Sequence, residues 1–421
     1  MSLKLLPKIS LYGLLAWLCL KTHAQAQSDA DYSRYVNKSG HMIQSAAGAT
    51  YDFSFLKKEV KDKRIVAIGE FNHGSKEIFL LKNKLVKYLH EQLGYDLLLF
   101  ESGIGEVMYA DMARGKLPSK KMTNTLVGPW MNESHDQLMD YVRQKASLTI
   151  GGFDVQRSGS AFVQVMNPYF ADVLSKTGID IMSLEKQNHE LRKRLLKKEM
   201  STRITAEKER LAVAYKKLVA YIYQNANTVF KEKDKERRLL INVFQNRIAY
   251  IDYLYDFVID GDWNKRWLKR DSIMAENIAL YANILYPEKK VLVLAHNFHV
   301  SKFNPNEQVM GEYLQEKFGE AYYAFGIYGA SGTYADNSRN PKQLAEPDGQ
   351  NDLKRYIKLQ SGEIHFIPIP NKPKAGAAWL FGNTKVTDTF NDLSNTENVQ
   401  LNRWFDGLIF LKTISPAQYQ Y

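Results

Sequence analysis

Two glutamates, one aspartate and three histidines stand in four short clusters, and their types suit proton transfer beside a carbonyl group. The clusters are Gly69-Glu70-Phe71-Asn72-His73-Gly74, Glu101-Ser102-Gly103, Asp154-Val155-Gln156-Arg157 and His296-Asn297-Phe298-His299. Two chemical schemes fit such a set. In one, a carboxylate holds a neutral imidazole that takes a proton from water, and a second imidazole or a lysine stabilises the oxyanion formed on a carbonyl. In the other, His and Glu or Asp bind a divalent metal that generates the hydroxide. His296 and His299 lie three apart and lack the i, i+4 spacing of a helical zinc pair, so the sequence does not specify a metal. A third reading is non-catalytic: His296 and His299 as ligands in a haem-binding or glycan-binding protein.

Other chemistries lack their residues. The single cysteine, Cys19, falls in the N-terminal leader described below, and no G-x-S-x-G elbow, Walker A sequence or G-x-G-x-x-G follows a strand. Each cluster member also has an ordinary structural role open to it. Glu70 and Asp154 could cap helices, His73 could sit in a turn, and His296 with His299 could be a core pair. Glu101 follows four apolar residues, so its charge needs a partner. His41, His90, His135, His189 and His365 have no comparable setting and read as structural or surface residues.

The elements that position the clusters are short apolar runs alternating with helix-period segments. Arg64–Gly69, Asp96–Phe100, Leu148–Phe153, Val291–Ala295 and Tyr322–Ile327 read as buried strands. Lys76–Leu93 reads as an amphipathic helix stopped by Gly94. Alternation of this kind predicts an α/β fold, a largely parallel sheet covered by helices. The four clusters then sit at the carboxyl ends of strands, the edge where such sheets bind ligands. The segment 184–267 reads as a basic helical insertion, a cap or hairpin, between the third and fourth strands. Residues 27–183 and 268–421 form the catalytic domain, and the late runs Ile364–Ile369 and Leu408–Leu411 read as edge strands.

Composition narrows the class of protein. The chain has 421 residues, 45% hydrophobic and 24% charged, which is ordinary for a folded domain with a sizeable core. Residues 1–26 read as a signal peptide: Lys4 and Lys8, an apolar run from Ile9 to Leu20, and Ala24-Gln25-Ala26 before cleavage. A periplasmic or secreted protein with no stable membrane insertion is therefore expected. Of the net charge of +11, the stretch Leu184–Arg238 holds 16 Lys and Arg against 8 Asp and Glu. That pattern reads as solvated helical faces with an apolar stripe at Leu191, Leu195, Leu196, Leu211, Ala214, Leu218 and Tyr221, and no nucleic-acid module is recognised.

At these residues the chain resembles the erythromycin esterase family. Gly69 to Phe79, Phe100-Glu101-Ser102-Gly103, Gly152-Phe153-Asp154-Val155-Gln156, Arg270-Asp271-Ser272-Ile273-Met274-Ala275-Glu276-Asn277 and Ala295 to Val300 follow the family's motifs in order. Phe405-Asp406-Gly407-Leu408-Ile409 is similar to its last strand. The resemblance implies hydrolysis of a macrolactone or other acyl ester by water attack, without a covalent intermediate, a cofactor or an obligatory metal. It implies His73 as general base, with Glu70 and Glu101 orienting it or its water. His296 and His299 would complete the site and stabilise charge, and Lys82 would be an electrostatic partner. Asp154, Arg270, Asp271 and Asn277 would support these residues by hydrogen bonds. The pair Phe71-Asn72 and the exported context depart from the family pattern, which widens the substrate expected to acyl esters of the cell envelope.

Overall fold

The computed structural model describes residues 29–419 apart from 46, 49, 159–174, 262 and 389–395, with the backbone alone described at 260 and 263–268. The leader 1–26 lies outside the described residues. In chain order the strands are His41–Gln44 (β1), Ile65–Ile68 (β2), Leu97–Gly103 (β3), Thr149–Asp154 (β4), Val291–Leu294 (β5), Tyr322–Ala335 (β6), Pro341–Gln343 (β7), Ile364–Pro368 (β8), Thr384–Thr387 (β9), Thr396–Val399 (β10) and Gly407–Ile414 (β11). Every residue of β2, β3 and β5 is buried, as expected of strands covered on both faces.

One nine-stranded sheet runs β1-β8-β11-β6-β2-β5-β3-β4, with β7 paired to β6. From β11 to β4 all neighbours on this path are parallel. The late runs are not edges: β11 lies between β6 and β8, and β8 pairs antiparallel with both β11 and β1. Their apolar character has a simple cause, because interior strands are covered on both faces, and β1 and β4 hold the edges instead.

Lys76–Leu93 (α1) forms as its pattern predicts, with Ile78, Leu81, Leu85 and Leu89 buried. Gly94 ends it in the left-handed conformation at φ 70°, a position that costs a side chain energy. Ile104–Met112 (α2) and Glu133–Gln144 (α3) follow, the latter capped by the Asn132 side chain on Ser134 N and His135 N.

Between β4 and β5 the chain runs through Ile181–Leu196 (α4), Thr202–Gln224 (α5), Asp234–Asp260 (α6) and Trp263–Ala279 (α7). Leu191, Leu195, Leu211 and Leu218 form a buried stripe here, while Leu196 is exposed. A buried charge network ties these helices to the sheet. Glu106 on α2 accepts from Arg247 Nη2 of α6 at 2.8 Å. Glu185 on α4 accepts from Tyr215 of α5 at 2.7 Å and faces Arg247 Nε at 3.3 Å and Arg157 Nη1 at 3.4 Å. Two carboxylates against two guanidinium groups balance the charge, which fixes register more than it adds stability. No helix among the described residues is long and apolar enough to cross a membrane.

Candidate active site

The first cluster is a turn made tight by backbone approach. A side chain at Gly69 would come within 2.1 Å of Asn297 Oδ1, and one at Gly74 within 1.8 Å of Ala335 O. Asn72 accepts from Gly74 N at 2.9 Å and from Ser75 Oγ at 2.8 Å, so the turn folds Glu70 and His73 back on each other. Phe71 packs into the core against Tyr328.

Glu70 is fully buried and receives three donors. Lys82 Nζ of α1 reaches Oε2 at 2.6 Å, while Trp130 Nε1 at 2.7 Å and His73 Nδ1 at 2.8 Å reach Oε1. Burial pushes this carboxyl up, but Lys82 and His73 outweigh it and hold it at about 2, so it is ionised. An ionised carboxylate accepts and cannot donate. His73 Nδ1 therefore carries the proton, and in the neutral ring Nε2 holds the lone pair. The His73 side chain is 11% exposed while that of Glu70 is at 0%, so the imidazole is the part of the pair that meets solvent. Burial pulls the Lys82 ammonium down, against the carboxylates of Glu70 and Glu101.

His296 faces His73 with ring centroids 5.0 Å apart. Its Nδ1 accepts from Phe298 N at 3.2 Å, so Nε2 carries the proton that points to Asp388 Oδ1 at 3.1 Å. Burial and the neighbouring His73 push it down to about 3, which keeps it neutral. Asn297 braces the segment: its N donates to Glu70 O at 2.8 Å, and its side chain bonds Ile327 N and O.

Glu101 anchors the same segment by accepting from His296 N at 3.0 Å on Oε2 and from Arg270 Nη2 at 2.8 Å on Oε1. Burial opposes its charge, yet His299 and Arg270 hold it well below the usual carboxylate range. Arg270 of α7 forks onto Asp154 at 3.1 and 2.7 Å and donates to His299 Nε2 at 2.8 Å. His299 Nδ1 in turn donates to Asp271 Oδ2 at 2.9 Å. Burial disfavours charge on His299, and the Asp271 and Glu101 carboxylates shift the balance upward.

The structure thus brings Glu70, His73, Lys82, Glu101 and His296 together, with Asp154, Arg270, Asp271 and His299 interlocked behind Glu101. His299 meets Arg270 and Asp271 through its two ring nitrogens, so it supports Glu101 and Arg270 rather than facing His73. His296 and His299, both enclosed and hydrogen bonded through each ring nitrogen, are not open ligands for haem. Asn277 stands apart: it donates to Phe153 O at 2.8 Å and to Asn246 Oδ1 at 2.9 Å, joining α7 and α6 to β4. Among the described residues no group of three or more His, Cys, Asp and Glu converges as a metal ion requires.

Residues that sequence reasoning missed enter from loops. Trp130 lies in a single turn, Gly128–Trp130, stacked on His135 at 5.4 Å, and Asp388 follows β9. Neither carries a periodic or spacing signal. Glu307 is a third: burial, Asp271 and Glu397 raise its carboxyl to about 7, with His299 opposing, and its Oε2 is buried without a hydrogen bond.

Fold and centre together define an α/β protein whose carboxylate-held imidazole sits at the carboxyl edge of a mainly parallel sheet. The erythromycin esterase family model matches residues 90–414, and the chain belongs to the erythromycin esterase family. The match begins after Glu70, His73 and Lys82. The chain is 28% identical over 439 aligned positions to "Putative hydrolase YbfO" of Bacillus subtilis (strain 168), covering 96% of each. It is 24% identical over 304 positions to "Erythromycin esterase type II" of Escherichia coli, covering 67% of this chain and 72% of that one. Among solved structures it is similar to a Bacillus cereus protein at TM-score 0.76 and 20% identity, covering 93% of this chain and 99% of the other. An erythromycin esterase mutant in its open conformation aligns at TM-score 0.62 and 17% identity, covering 90% and 98%. These two likenesses concern the fold.

Proposed function

We propose that the protein is an exported hydrolase that opens an ester, a macrolactone or another acyl ester, by direct attack of water activated by His73. The observation that carries the reading is the Glu70–His73 hydrogen bond of 2.8 Å, which leaves the lone pair on Nε2 of a ring that is 11% exposed. His73 Nε2 takes a proton from water as the oxygen bonds to the carbonyl carbon. The tetrahedral intermediate then expels the alkoxide, which receives that proton back from the imidazolium. Glu70 holds the tautomer and stabilises the transient positive ring, and Lys82 keeps Glu70 ionised.

Glu101, through His296 N and Arg270, fixes the wall opposite His73, so its part is positioning. Two relatives named as a hydrolase and as an erythromycin esterase support the reaction class. The leader supports a periplasmic or secreted location, where acyl esters of the cell envelope are accessible substrates. The test is mass spectrometry of macrolides and simple acyl esters incubated with the purified chain, with and without chelator, beside His73→Ala. A His73-dependent gain of one water, surviving chelation, is expected. Turnover lost on chelation would replace this mechanism with a metal-dependent one, and no turnover of any ester would overturn it.

A further inference from the structure

A cleft of about 1230 Å³ lies between the sheet and the insertion. Its core wall is made by Gly128 and Met131, which flank Trp130, and by Gln156 and Ser158, which follow Asp154. Trp130 holds Glu70 and Asp154 holds Arg270, so this wall is continuous in the chain with both halves of the centre. The opposite wall is one face of α4, where Lys186, His189 and Arg192 recur every three residues.

Among the described residues, the charges along this cleft do not cancel. Glu185 also lines it, but is held by Tyr215, Arg247 and Arg157, and Asp180 is engaged in capping α4 at Ser183 N, 3.1 Å away. Lys186 meets no carboxylate among the described residues. Arg192 lies over the Tyr250 ring at 5.9 Å, and its Nε is buried without a hydrogen-bond acceptor. His189 Nδ1 is likewise buried and unbonded. Burial, and then the positive groups Arg157, Arg192 and Lys193, push the His189 ring down, with Glu190 opposing.

We propose that the α4 face of this cleft, through Lys186, His189 and Arg192, is a subsite for an anionic group of the substrate, such as a carboxylate carried on an acyl or glycan moiety. A carboxylate there would face the Lys186 ammonium and the Arg192 guanidinium, neither of which meets a carboxylate among the described residues. The proposal rests on the hydrolase reading for the identity of the molecule in the cleft, and it selects acidic esters over neutral or cationic ones.

The test uses two 4-nitrophenyl esters, the monoester of glutaric acid and the neutral pentanoate, titrated calorimetrically into the non-hydrolysing His73→Ala protein. The acidic ester should bind about tenfold more tightly, and the difference should disappear in a protein that also carries Lys186→Ala and Arg192→Ala. Lys186 is exposed, so Lys186→Ala alone keeps the test valid if the combined variant does not fold, with a smaller loss expected. Equal affinity for the two esters, binding of neither, or discrimination that survives both substitutions overturns the subsite. Turnover by the unsubstituted protein is scored separately: hydrolysis of both esters without discrimination refutes the subsite alone, and binding discrimination without hydrolysis refutes the hydrolase reading alone.

Discussion

Replacing Glu70 by glutamine separates what this carboxylate does for the fold from what it does for His73. Lys82 is only 2% exposed and sits 2.6 Å from Glu70 Oε2. Removing the negative partner leaves an ammonium buried without its counter-charge, which costs about 3 to 5 kcal/mol of stability. If the amide oxygen stays with Lys82, the amide NH2 meets His73 Nδ1, which must then accept. The ring proton moves to Nε2, and the general base is lost, which lowers kcat/KM by roughly 100- to 10,000-fold.

The double variant Glu70→Gln/Lys82→Met removes the stranded charge as well. It should regain most of the stability but little of the activity, since a neutral amide does not stabilise the imidazolium that forms when His73 takes the proton. Urea denaturation followed by circular dichroism gives the first quantity, and initial rates on an accepted ester give the second. Wild-type rates in Glu70→Gln, or activity returning with stability in the double variant, would refute the reasoning.

Acid should weaken the protein through the same group. With Glu70 held at about 2 in the fold against an ordinary value of 4.5, its contribution is fully present above pH 4.5 and is lost as pH falls toward 2. The shift corresponds to about 3 kcal/mol, so unfolding midpoints of the wild type should drop more steeply between pH 6 and 3 than those of the double variant, and parallel curves would disprove it. Glu101→Gln removes the charge facing Arg270 and leaves an amide NH2 against one of the two donors it now accepts from, so stability should fall by about 1 to 3 kcal/mol and activity by about tenfold or more; an unimpaired enzyme would return Glu101 to a purely structural role. Arg270→Lys cannot fork onto Asp154 while reaching Glu101 and His299, and a loss of kcat with nearly unchanged KM is expected, whereas wild-type kcat would contradict the positioning role. Asn277→Ala should cost about 1 to 2 kcal/mol in denaturation and leave kcat/KM within about twofold, because its bonds run to Phe153 and Asn246; a large catalytic defect would place it in the centre after all.

The parallel strands were legible because they are buried on both faces and read as unbroken apolar runs, and the chemistry was legible because four of the five runs end in an acid or a histidine. Strand order was not. Placing β11 between β6 and β8 depends on pairings 39 or more residues apart in the chain, which local pattern does not encode. The same holds for the insertion: its stripe was visible, but Arg247 bridges Glu185 to Glu106 on a distant helix. Trp130 and Asp388 escaped notice because loop residues carry no period. His299 looked equivalent to His296, and only the positions of Arg270 and Asp271 show that one ring faces His73 while the other is locked behind Glu101.

Direct activation of water by His73 is tested most directly by hydrolysing an accepted ester in water enriched in oxygen-18, with wild type and His73→Ala side by side. The product acid and the intact protein mass are followed through the first turnover. The prediction is one heavy oxygen in the acid from the first turnover, no acyl adduct on the chain, and a rate lower by roughly 100- to 10,000-fold in His73→Ala. An acyl adduct on the protein, or an undiminished rate in His73→Ala, would contradict the account.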